Sequence, residues 1–238
     1  MNTSVPYLSI VIPAYNEERR IVPALESIIA WRDRQTYDVE VIVVENGSSD
    51  RTADVVSEIA ETSPGVRLLV QEEAGKGAAV RRGMLEAAGT YRYMCDADLA
   101  TPATEIHKFL PPEVSADVAI GSREAAGAQV DCPWRRKLTG RIFNTFVRVF
   151  AVPGIRDTQC GFKCFTAAAA TDLFERSRCR GWAFDVELLM LAKRRGYKIV
   201  ETPVAWTHDD DSRVRVVRDG LRMLLDMMWI RSRLMFAR

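Results

Sequence analysis

Short apolar runs alternate with amphipathic segments through the first hundred residues of the chain. Apolar runs typical of buried strands occur at 8–12, 39–44, 66–70 and 91–95. Apolar residues at helical spacing occur at 17–31, 49–60 and 77–88, and Ser49 or Asp50 is the expected cap of the second of these helices. This alternation predicts an α/β fold whose mostly parallel central sheet is covered by helices on both faces.

The pattern is less regular after residue 100. It predicts strands at 117–120 and 198–206. It also predicts four helices: one at 134–150, one that begins at Ala167, one that ends at Arg195 and one that begins at about Val214. No repeat or long linker divides the chain. We therefore expect a single domain over 1–211, with halves of about 7–100 and 101–211, followed by a basic amphipathic helix at 212–238.

Composition narrows the class of protein. The 238 residues are 47% hydrophobic and 27% charged, which is typical of a soluble globular chain. Thirty-three basic residues against thirty-two acidic ones give a net charge of +1, so we expect no nucleic-acid partner. Five cysteines without a C-x-x-C pair argue against a disulfide framework or structural zinc and favour a cytoplasmic location. We expect neither a signal peptide nor a membrane span.

Polar segments follow three of the predicted strands, at 13–17, 45–50 and 96–102. In open parallel sheets, ligands bind beyond the carboxyl ends of the strands. Asp96 and Asp98 are two carboxylates that can share one hard cation and leave room for phosphate oxygens. The alternative is that they cap a following helix.

Other enzyme classes that use similar motifs fit less well. A haloacid dehalogenase phosphatase places its D-x-D after the first strand, whereas Asp96 follows the fourth. A dinucleotide-binding fold needs a glycine-rich turn after the first strand, and 13–18 contains no glycine. Gly75-Lys76 lacks the upstream glycine of a phosphate-binding P-loop, because that position is Val70.

The ordered set of motifs resembles one enzyme family. The segments 13–17, 45–50, 75–77 and 96–98 look like the marks of inverting family 2 glycosyltransferases with the GT-A fold, a Rossmann-like arrangement. In the second half, 154–165 and 180–189 resemble dolichyl-phosphate β-glucosyltransferases closely and dolichyl-phosphate mannose synthases less closely. The similarity covers roughly 7–233, with a donor half before residue 100 and an acceptor half after it.

The resemblance implies a nucleotide-sugar site in the donor half. It assigns donor contacts to Pro13, Ala14, Tyr15, Glu17, Glu45, Gly47, Ser48, Lys76, Asp96, Ala97, Asp98 and Arg213. It also implies Mg²⁺ or Mn²⁺ as cofactor, with Asp96, Asp98 and His208 as candidate ligands; a solvated histidine is the alternative for His208. The family usually has two aspartates where this chain has Glu45-Asn46, and this difference bears on which nucleotide base the donor site accepts.

For the acceptor half, the resemblance places Arg123 near a phosphate. Acceptor contacts are expected at Arg135, Arg141, Gln159, Trp182 and Asp185. Asp157 is the candidate base or acceptor-orienting residue, and a turn-forming aspartate is its alternative. A polyprenyl phosphate is ionised near neutral pH and attacks without a strong base, whereas a hydroxyl acceptor needs one. Trp182 is equally compatible with a place in the core.

The implied activity is transfer of a hexose, with UDP-glucose as favoured donor, to a polyprenyl or dolichyl phosphate with inversion. The alternatives are the same reaction with GDP-mannose, transfer to a small hydroxyl acceptor, and a non-catalytic nucleotide-sugar-binding protein. Two basic segments, 132–156 and 212–238, suit peripheral contact with the inner face of a membrane. Packing of the last helix on the domain is the alternative.

Overall fold

The computed structural model describes residues 5–133, 147, 152–207 and 216–236, with the side chains of the last segment described over 222–235. The strands are β1 (Leu8–Ala14), β2 (Val39–Glu45), β3 (Val66–Val70), β4 (Tyr91–Met94), β5 (Val118–Ser122), β6 (Gln129–Asp131), β7 (Lys163–Thr166), β8 (Ile199–Pro203) and β9 (Ala205–Thr207). Seven of them form one sheet in the order β3-β2-β1-β4-β7-β5-β8. β6 and β9 form a separate parallel pair.

The first four strands run parallel, as their apolar runs predict. β1 pairs with β2 and β4, and β2 pairs with β3. In this register Ala14 lies opposite Glu45, and Glu45 opposite Val70. The polar segments that follow these strands therefore emerge at one edge of the sheet.

Helices cover both faces of the sheet, which confirms the predicted architecture. They are α1 (Ile21–Arg32), α2 (Thr52–Thr62), α3 (Lys76–Glu86), a 3-10 helix (Ala103–Phe109), α4 (Ala167–Arg176), α5 (Phe184–Arg194) and α6 (Val216–Phe236). Alternation along β1 sends Ile10 and Ile12 into the core shared with α1, α2 and the 3-10 helix, and Val11 into the core shared with α3 to α6. Among the helices of the described segments, none has the length and hydropathy needed to cross a bilayer.

Several elements differ from the sequence pattern, among them β6, where no strand was expected. No strand was expected at β7, which inserts antiparallel between β4 and β5. The strand expected over 198–206 is divided at Val204, because β8 pairs with β5 while β9 pairs with β6. The helix that the sequence left open after 96–102 is the 3-10 helix, which begins at Ala103 with no side-chain cap. The helix predicted at 134–150 lies, apart from Val147, outside the described residues.

Candidate active site

The loops after β1 and β2 are joined by hydrogen bonds at the carboxyl edge of the sheet. The Asn16 N–H donates to Ser48 Oγ (2.9 Å), and Asn16 Oδ1 accepts from the Ser49 N–H (2.7 Å). The Glu17 N–H donates to Thr52 Oγ1 (2.7 Å) at the start of α2. Asn16 has a φ of +54°, a left-handed conformation that asparagine tolerates. The two loops thus form one continuous surface.

The predicted donor contacts of these loops differ in exposure. Pro13 and Ala14 end β1, whereas the side chain of Tyr15 is 54% exposed beside them. Glu45 is buried at the end of β2, and its carboxylate accepts the N–H of Ser48. Gly47 turns between these two residues with a φ of +75°, which glycine adopts without strain. The structure brings these residues together, and their contact with a nucleotide remains a prediction.

Asn46 holds the loop that leads into α3. Its side-chain amide donates to the carbonyl oxygens of Gln71 (3.2 Å) and Glu73 (2.6 Å). Its Oδ1 accepts the N–H of Gly75 (2.7 Å). The sequence showed Asn46 as a departure from the family pattern, but its partners come from a loop 25 or more residues away and no local signal reveals them.

Gly75 and Gly77 pack directly against the backbone at Cys179 and Arg180. A Cβ on Gly75 would lie 2.2 Å from the Arg180 carbonyl oxygen, and one on Gly77 would lie 2.4 Å from that of Cys179. The Gly77 N–H also donates to the Arg180 carbonyl (2.8 Å). Both glycines are needed for this approach, which places Lys76 at the start of α3.

Lys76 reaches across the sheet edge to the predicted acidic pair. Its Nζ lies 2.5 Å from Asp96 Oδ1. Burial alone would lower the pKa of Lys76, but the negative charges of Asp96, Asp185 and Asp98 outweigh burial and raise it. The ammonium therefore stays charged beside the two carboxylates, where it can also face a phosphate.

Asp96 and Asp98 follow β4 and flank Ala97, which is buried. Burial, and then the charge of Asp96, raises the pKa of Asp98. Asp98 Oδ1 also accepts the N–H of Ala100 (3.1 Å), so it closes a local turn as well. A Cβ on Gly161 would lie 2.1 Å from Asp96 Oδ2, so the glycine of the 154–165 motif gives this carboxylate its room.

Two neighbouring carboxylates that repel each other suit a hard divalent cation, because oxygen ligands are those that Mg²⁺ and Mn²⁺ prefer. The residues therefore fit the predicted metal through Asp96 and Asp98. Within the described part of the chain, no group of three or more His, Cys, Asp or Glu side chains forms a complete metal site. His208 lies outside the described residues.

Arg20 is a basic residue of the site that the sequence analysis missed. Its Nε lies 2.7 Å from Glu17 Oε2, and its charge lowers the pKa of Asp98 against the stronger effects of burial and Asp96. The i,i+3 spacing from Glu17, just before α1, is the signal that could have found it.

A buried pair of opposite charges extends the cluster inward. Lys163 is fully buried, and its Nζ lies 2.7 Å from Asp185 Oδ1. Burial raises the pKa of Asp185 although Lys163 and Lys76 oppose that shift. The Trp182 ring centroid is 5.1 Å from Lys76 Nζ, and Trp182 is 38% exposed, so it is not a core residue. Asp185 and Trp182, two of the residues predicted to contact the acceptor, thus lie beside charged residues of the predicted donor site.

Arg123 and Asp157 form a tightly bonded pair at the end of β5. Asp157 accepts from Arg123 Nε (2.7 Å), from its NH2 group (2.9 Å) and from its backbone N–H (3.0 Å). Asp157 is 1% exposed, and although burial would raise its pKa, Arg123 outweighs burial and lowers it. Asp157 is buried, its Oδ1 also accepts the Gln159 N–H (3.3 Å) in a local turn, and its role as a base stays a prediction.

The family follows from comparison with known proteins. The model of "Glycosyl transferase family 2" matches residues 9–174, well over half of the chain. The chain belongs to glycosyl transferase family 2. The motifs of the sequence predicted this family, and the match covers the loops after β1, β2 and β4 that build the site.

Relatives within family 2 share most of the chain. A dolichyl-phosphate β-glucosyltransferase of Trichomonas vaginalis is 38% identical over 94% of this chain and 70% of its own length. The enzymes of that name from Drosophila melanogaster and Saccharomyces cerevisiae are 39% and 33% identical, each over 94% of this chain and 74% of its own length. The resemblance to this group is confirmed.

Solved structures share the family 2 fold. Glucosyl-3-phosphoglycerate synthase from Mycobacterium tuberculosis, in complex with Mn²⁺, UDP and glucosyl-3-phosphoglycerate, superposes with a TM-score of 0.70 at 18% identity. The match covers 94% of this chain and 80% of that one. The same enzyme with Mn²⁺ and UDP-glucose gives a TM-score of 0.68 over 93% and 79%. At this identity the likeness shows the fold.

Several predicted residues of the family 2 site cannot be placed. Arg135, Arg141, His208 and Arg213 lie outside the described residues. Gln159 is described, and its Nε2 lies 3.6 Å from Met223 Sδ of α6. This contact puts the predicted acceptor side next to the last helix.

Proposed function

We propose that this chain transfers glucose from UDP-glucose to a polyprenyl or dolichyl phosphate, with inversion to a β-linked phosphodiester. The observation that carries the proposal is the placement of Lys76, Asp96 and Asp98 at the carboxyl edge of the sheet. The named activity of relatives that share 94% of the chain supports glucose and the lipid phosphate.

On the donor side, Lys76 and Arg20 supply positive charge for a diphosphate, and Glu45 and Tyr15 lie where a uridine is expected. Asp96 and Asp98, with His208, would hold Mg²⁺ or Mn²⁺, which supplies charge neutralisation for the departing UDP. Complexes of a protein of the same fold with Mn²⁺ or Mg²⁺ and UDP support this assignment.

On the acceptor side, the hydrogen bonds and the lowered pKa of Asp157 favour a phosphate acceptor over a hydroxyl acceptor. Both oxygens of its carboxylate are bonded to Arg123, and a lowered pKa makes it a weaker base. A phosphate monoester, whose second pKa is about 6, carries its own negative charge and needs no strong base. Arg123, oriented by Asp157, is suited to contact that phosphate. A hydroxyl acceptor is the second candidate, since the structural neighbour is a glucosyl-3-phosphoglycerate synthase.

The test is transfer by purified protein with Mn²⁺ and a short polyprenyl phosphate, with UDP-glucose and GDP-mannose offered in parallel. We expect glucosyl transfer that Asp98→Ala abolishes and that Asp54→Ala, an exposed carboxylate change on α2, leaves intact. Mannosyl transfer from GDP-mannose would overturn the assignment of UDP-glucose as the donor. Hydrolysis of UDP-glucose without transfer would overturn the lipid acceptor, and binding without turnover would leave a binding protein.

We also propose a cytoplasmic location with peripheral membrane contact, because a polyprenyl phosphate has to be taken from a bilayer. The basic segment around Arg135 and Arg141 lies outside the described residues, and α6 is the described element that supports membrane contact.

A further inference from the structure

Helix α6 presents apolar side chains on two opposite faces. Its inward face is buried and carries Met223, Met227, Ile230 and Leu234, the last three of which belong to the core cluster shared with α5. Its outward face carries four apolar side chains that are 48–64% exposed: Leu225, Met228, Trp229 and Met235. At about 100° of rotation per residue, these four form a single stripe opposite the buried one. The inward face accounts for packing on the domain, and the outward stripe remains to be explained.

Basic side chains border the outward stripe. Arg222 and Arg231 are exposed and lie roughly a quarter turn to either side of its centre. The Arg233 guanidinium lies 5.2 Å from the Trp229 ring centroid. Among the described side chains of α6 the acid is Asp226, whose Oδ2 would lie 3.4 Å from a Cβ on Gly181, on the domain side. Ser232 is also exposed and lies within the stripe. The outward face is therefore mostly apolar at its centre and has basic residues at its edges.

This pattern suits an anionic membrane better than a second copy of the chain. Apolar residues with Trp on one face and flanking arginines are typical of helices that lie in a lipid interface. In a symmetric contact between two copies, the arginine edges would face each other. Four side chains are also few for the roughly 800 Å² per partner of a standard interface.

The helix also lies where a lipid acceptor has to arrive. Met223 contacts Gln159, and Asp226 faces Gly181, next to Trp182. Arg233 is paired with the fully buried Glu187, whose Oε2 accepts the N–H groups of Arg178 (2.9 Å) and Cys179 (2.7 Å). Because that loop packs on Gly75 and Gly77, α6 is fixed relative to Lys76.

We propose that the outward face of α6 docks on a membrane that carries anionic phospholipids. Leu225, Met228, Trp229 and Met235 enter the boundary between headgroups and acyl chains, and Arg222 and Arg231 face lipid phosphates. This docking rests on the proposed function, since it presents the candidate site around Lys76 to an acceptor held in the bilayer.

The test is co-sedimentation of the full chain with phosphatidylcholine vesicles, with and without phosphatidylserine. We expect binding to the mixed vesicles that weakens at high salt, because the arginine contribution is screened. The variant Leu225→Ser/Met228→Ser/Trp229→Ser should bind at least about tenfold more weakly. The matched control Val5→Ser/Val70→Ser changes apolar side chains that are 67% and 52% exposed outside α6, and should bind as the unchanged chain does.

Three further readouts separate this docking from other causes. Thermal unfolding should show that the triple variant is folded, and its transfer of glucose to a detergent-dispersed short polyprenyl phosphate should be unchanged. Transfer without vesicle binding, or equal binding by the triple variant, would overturn the docking and leave the proposed function standing. If the triple variant loses vesicle binding and neither it nor the unchanged chain transfers glucose, the docking proposal would stand and the proposed function would be overturned. A lipid-free dimer that the triple variant converts to monomer would identify a second copy as the occupant instead.

Discussion

At the scale of single residues, Asn46 shows why an amide stands where the family usually has a carboxylate. The side chain donates to two carbonyl oxygens and accepts one N–H, so it needs a donor and an acceptor on the same group. An aspartate keeps the acceptor but faces two carbonyl oxygens with negative charge. The loop that ends at Gly75 and sets Lys76 in place depends on this choice.

We therefore expect Asn46→Asp to be destabilising although the two side chains have the same shape. Loss of two donated hydrogen bonds, with their carbonyls left facing a carboxylate, should lower the free energy of unfolding by about 1–3 kcal/mol and reduce transfer. Urea unfolding measures the first effect and kcat/KM for UDP-glucose the second. Asn46→Ala is the comparison. An Asn46→Asp variant as stable as the unchanged protein, and clearly more stable than the alanine variant, would show that the donated bonds are unimportant.

The Arg123–Asp157 pair gives a pH dependence of known sign. In the unchanged chain the pKa of Asp157 is lowered, so its contribution to stability is present above the unfolded pKa of about 3.9 and lost as pH falls through the folded value. In Arg123→Met the buried carboxylate loses the guanidinium but keeps the backbone N–H of residue 123 and the nearby charge of Lys163. We expect burial to outweigh these two and to raise the pKa of Asp157 above the unfolded value. At neutral pH this variant is therefore less stable than the unchanged chain. The difference in stability shrinks as Asp157 becomes protonated at lower pH.

For Arg123→Met we expect a loss of about 2–3 kcal/mol at pH 7, at the lower end for a buried pair because the Arg123 side chain is 31% exposed. The loss should shrink as pH falls from 7 toward about 4.5. Denaturant unfolding at several pH values measures it. Adding Asp157→Asn to this variant should remove the extra pH dependence. A loss that is constant over this range would mean that Asp157 does not titrate as its burial requires.

Sequence reasoning found the acidic pair, the glycines and Lys76, because each belongs to a short contiguous motif. It did not find the partners of those residues. The Asn46 bonds reach Gln71 and Glu73, and the room for Asp96 comes from Gly161, across contacts that no local spacing encodes. The alternative to a cation site, a cap on the following helix, is wrong, because the 3-10 helix begins at Ala103 after Pro102 with no side-chain cap, and Asp98 Oδ1 instead accepts the Ala100 N–H in a local turn.

At the scale of elements, the start of α3 is defined by contact with the loop before α5. In an isolated helix, alanine at position 77 would be favoured over glycine by about 1 kcal/mol. In the folded chain a Cβ there would meet the Cys179 carbonyl oxygen at 2.4 Å and Phe184 Cβ at 2.8 Å. Helix propensity and packing therefore predict opposite signs for the same substitution.

We expect packing to prevail, so that Gly77→Ala lowers stability by about 1–3 kcal/mol and reduces transfer through a displaced Lys76. Gly181→Ala is the matched control, because its Cβ would meet only Asp226 Oδ2, at 3.4 Å. Thermal unfolding and UDP-glucose turnover measure both variants. A Gly77→Ala chain that is more stable than the unchanged one would mean that the loop and α3 separate easily.

Elements with regular apolar patterns were predictable, and those defined by long-range pairing were not. β1 to β4 are predominantly apolar, and each lies within one or two residues of its expected bounds. β7 is only four residues long and begins with Lys163, a charge that is tolerated in the core because Asp185 neutralises it, so its sequence lacks a clear strand pattern. The division of 198–206 at Val204 follows from the pairing of β8 and β9 with different sheets, which no local pattern reveals.

At the scale of the whole molecule, α6 links the core, the site and the outward surface. The sequence left two interpretations of this helix, an interfacial anchor and a helix packed on the domain. The buried side chains of Met227, Ile230 and Leu234 show that it packs on the domain, and its outward stripe is exposed as well. A helix with both faces apolar can fill each role, because the two faces have different neighbours.

Removal of α6 should therefore unfold the chain rather than merely detach it from lipid. Met223, Met227, Ile230 and Leu234 are each at most 7% exposed, and burial of such a side chain contributes roughly 1.5–3 kcal/mol. Their sum is comparable with the roughly 5–15 kcal/mol that stabilises a whole domain. For a chain that ends at residue 215 we expect no cooperative thermal transition and strong binding of a hydrophobic dye.

Single substitutions on the two faces of α6 test the same idea without deleting it. Ile230→Ala on the buried face should cost about 2–4 kcal/mol, whereas Leu225→Ala on the outward face should change stability by less than about 0.5 kcal/mol. Urea unfolding measures both. Equal, small effects would mean that α6 is only loosely attached, and the truncated chain would then unfold as cooperatively as the full one. A packed α6 is needed to hold the outward stripe in place. That result would therefore also mean that a membrane-bound α6 does not fix the orientation of the candidate site around Lys76.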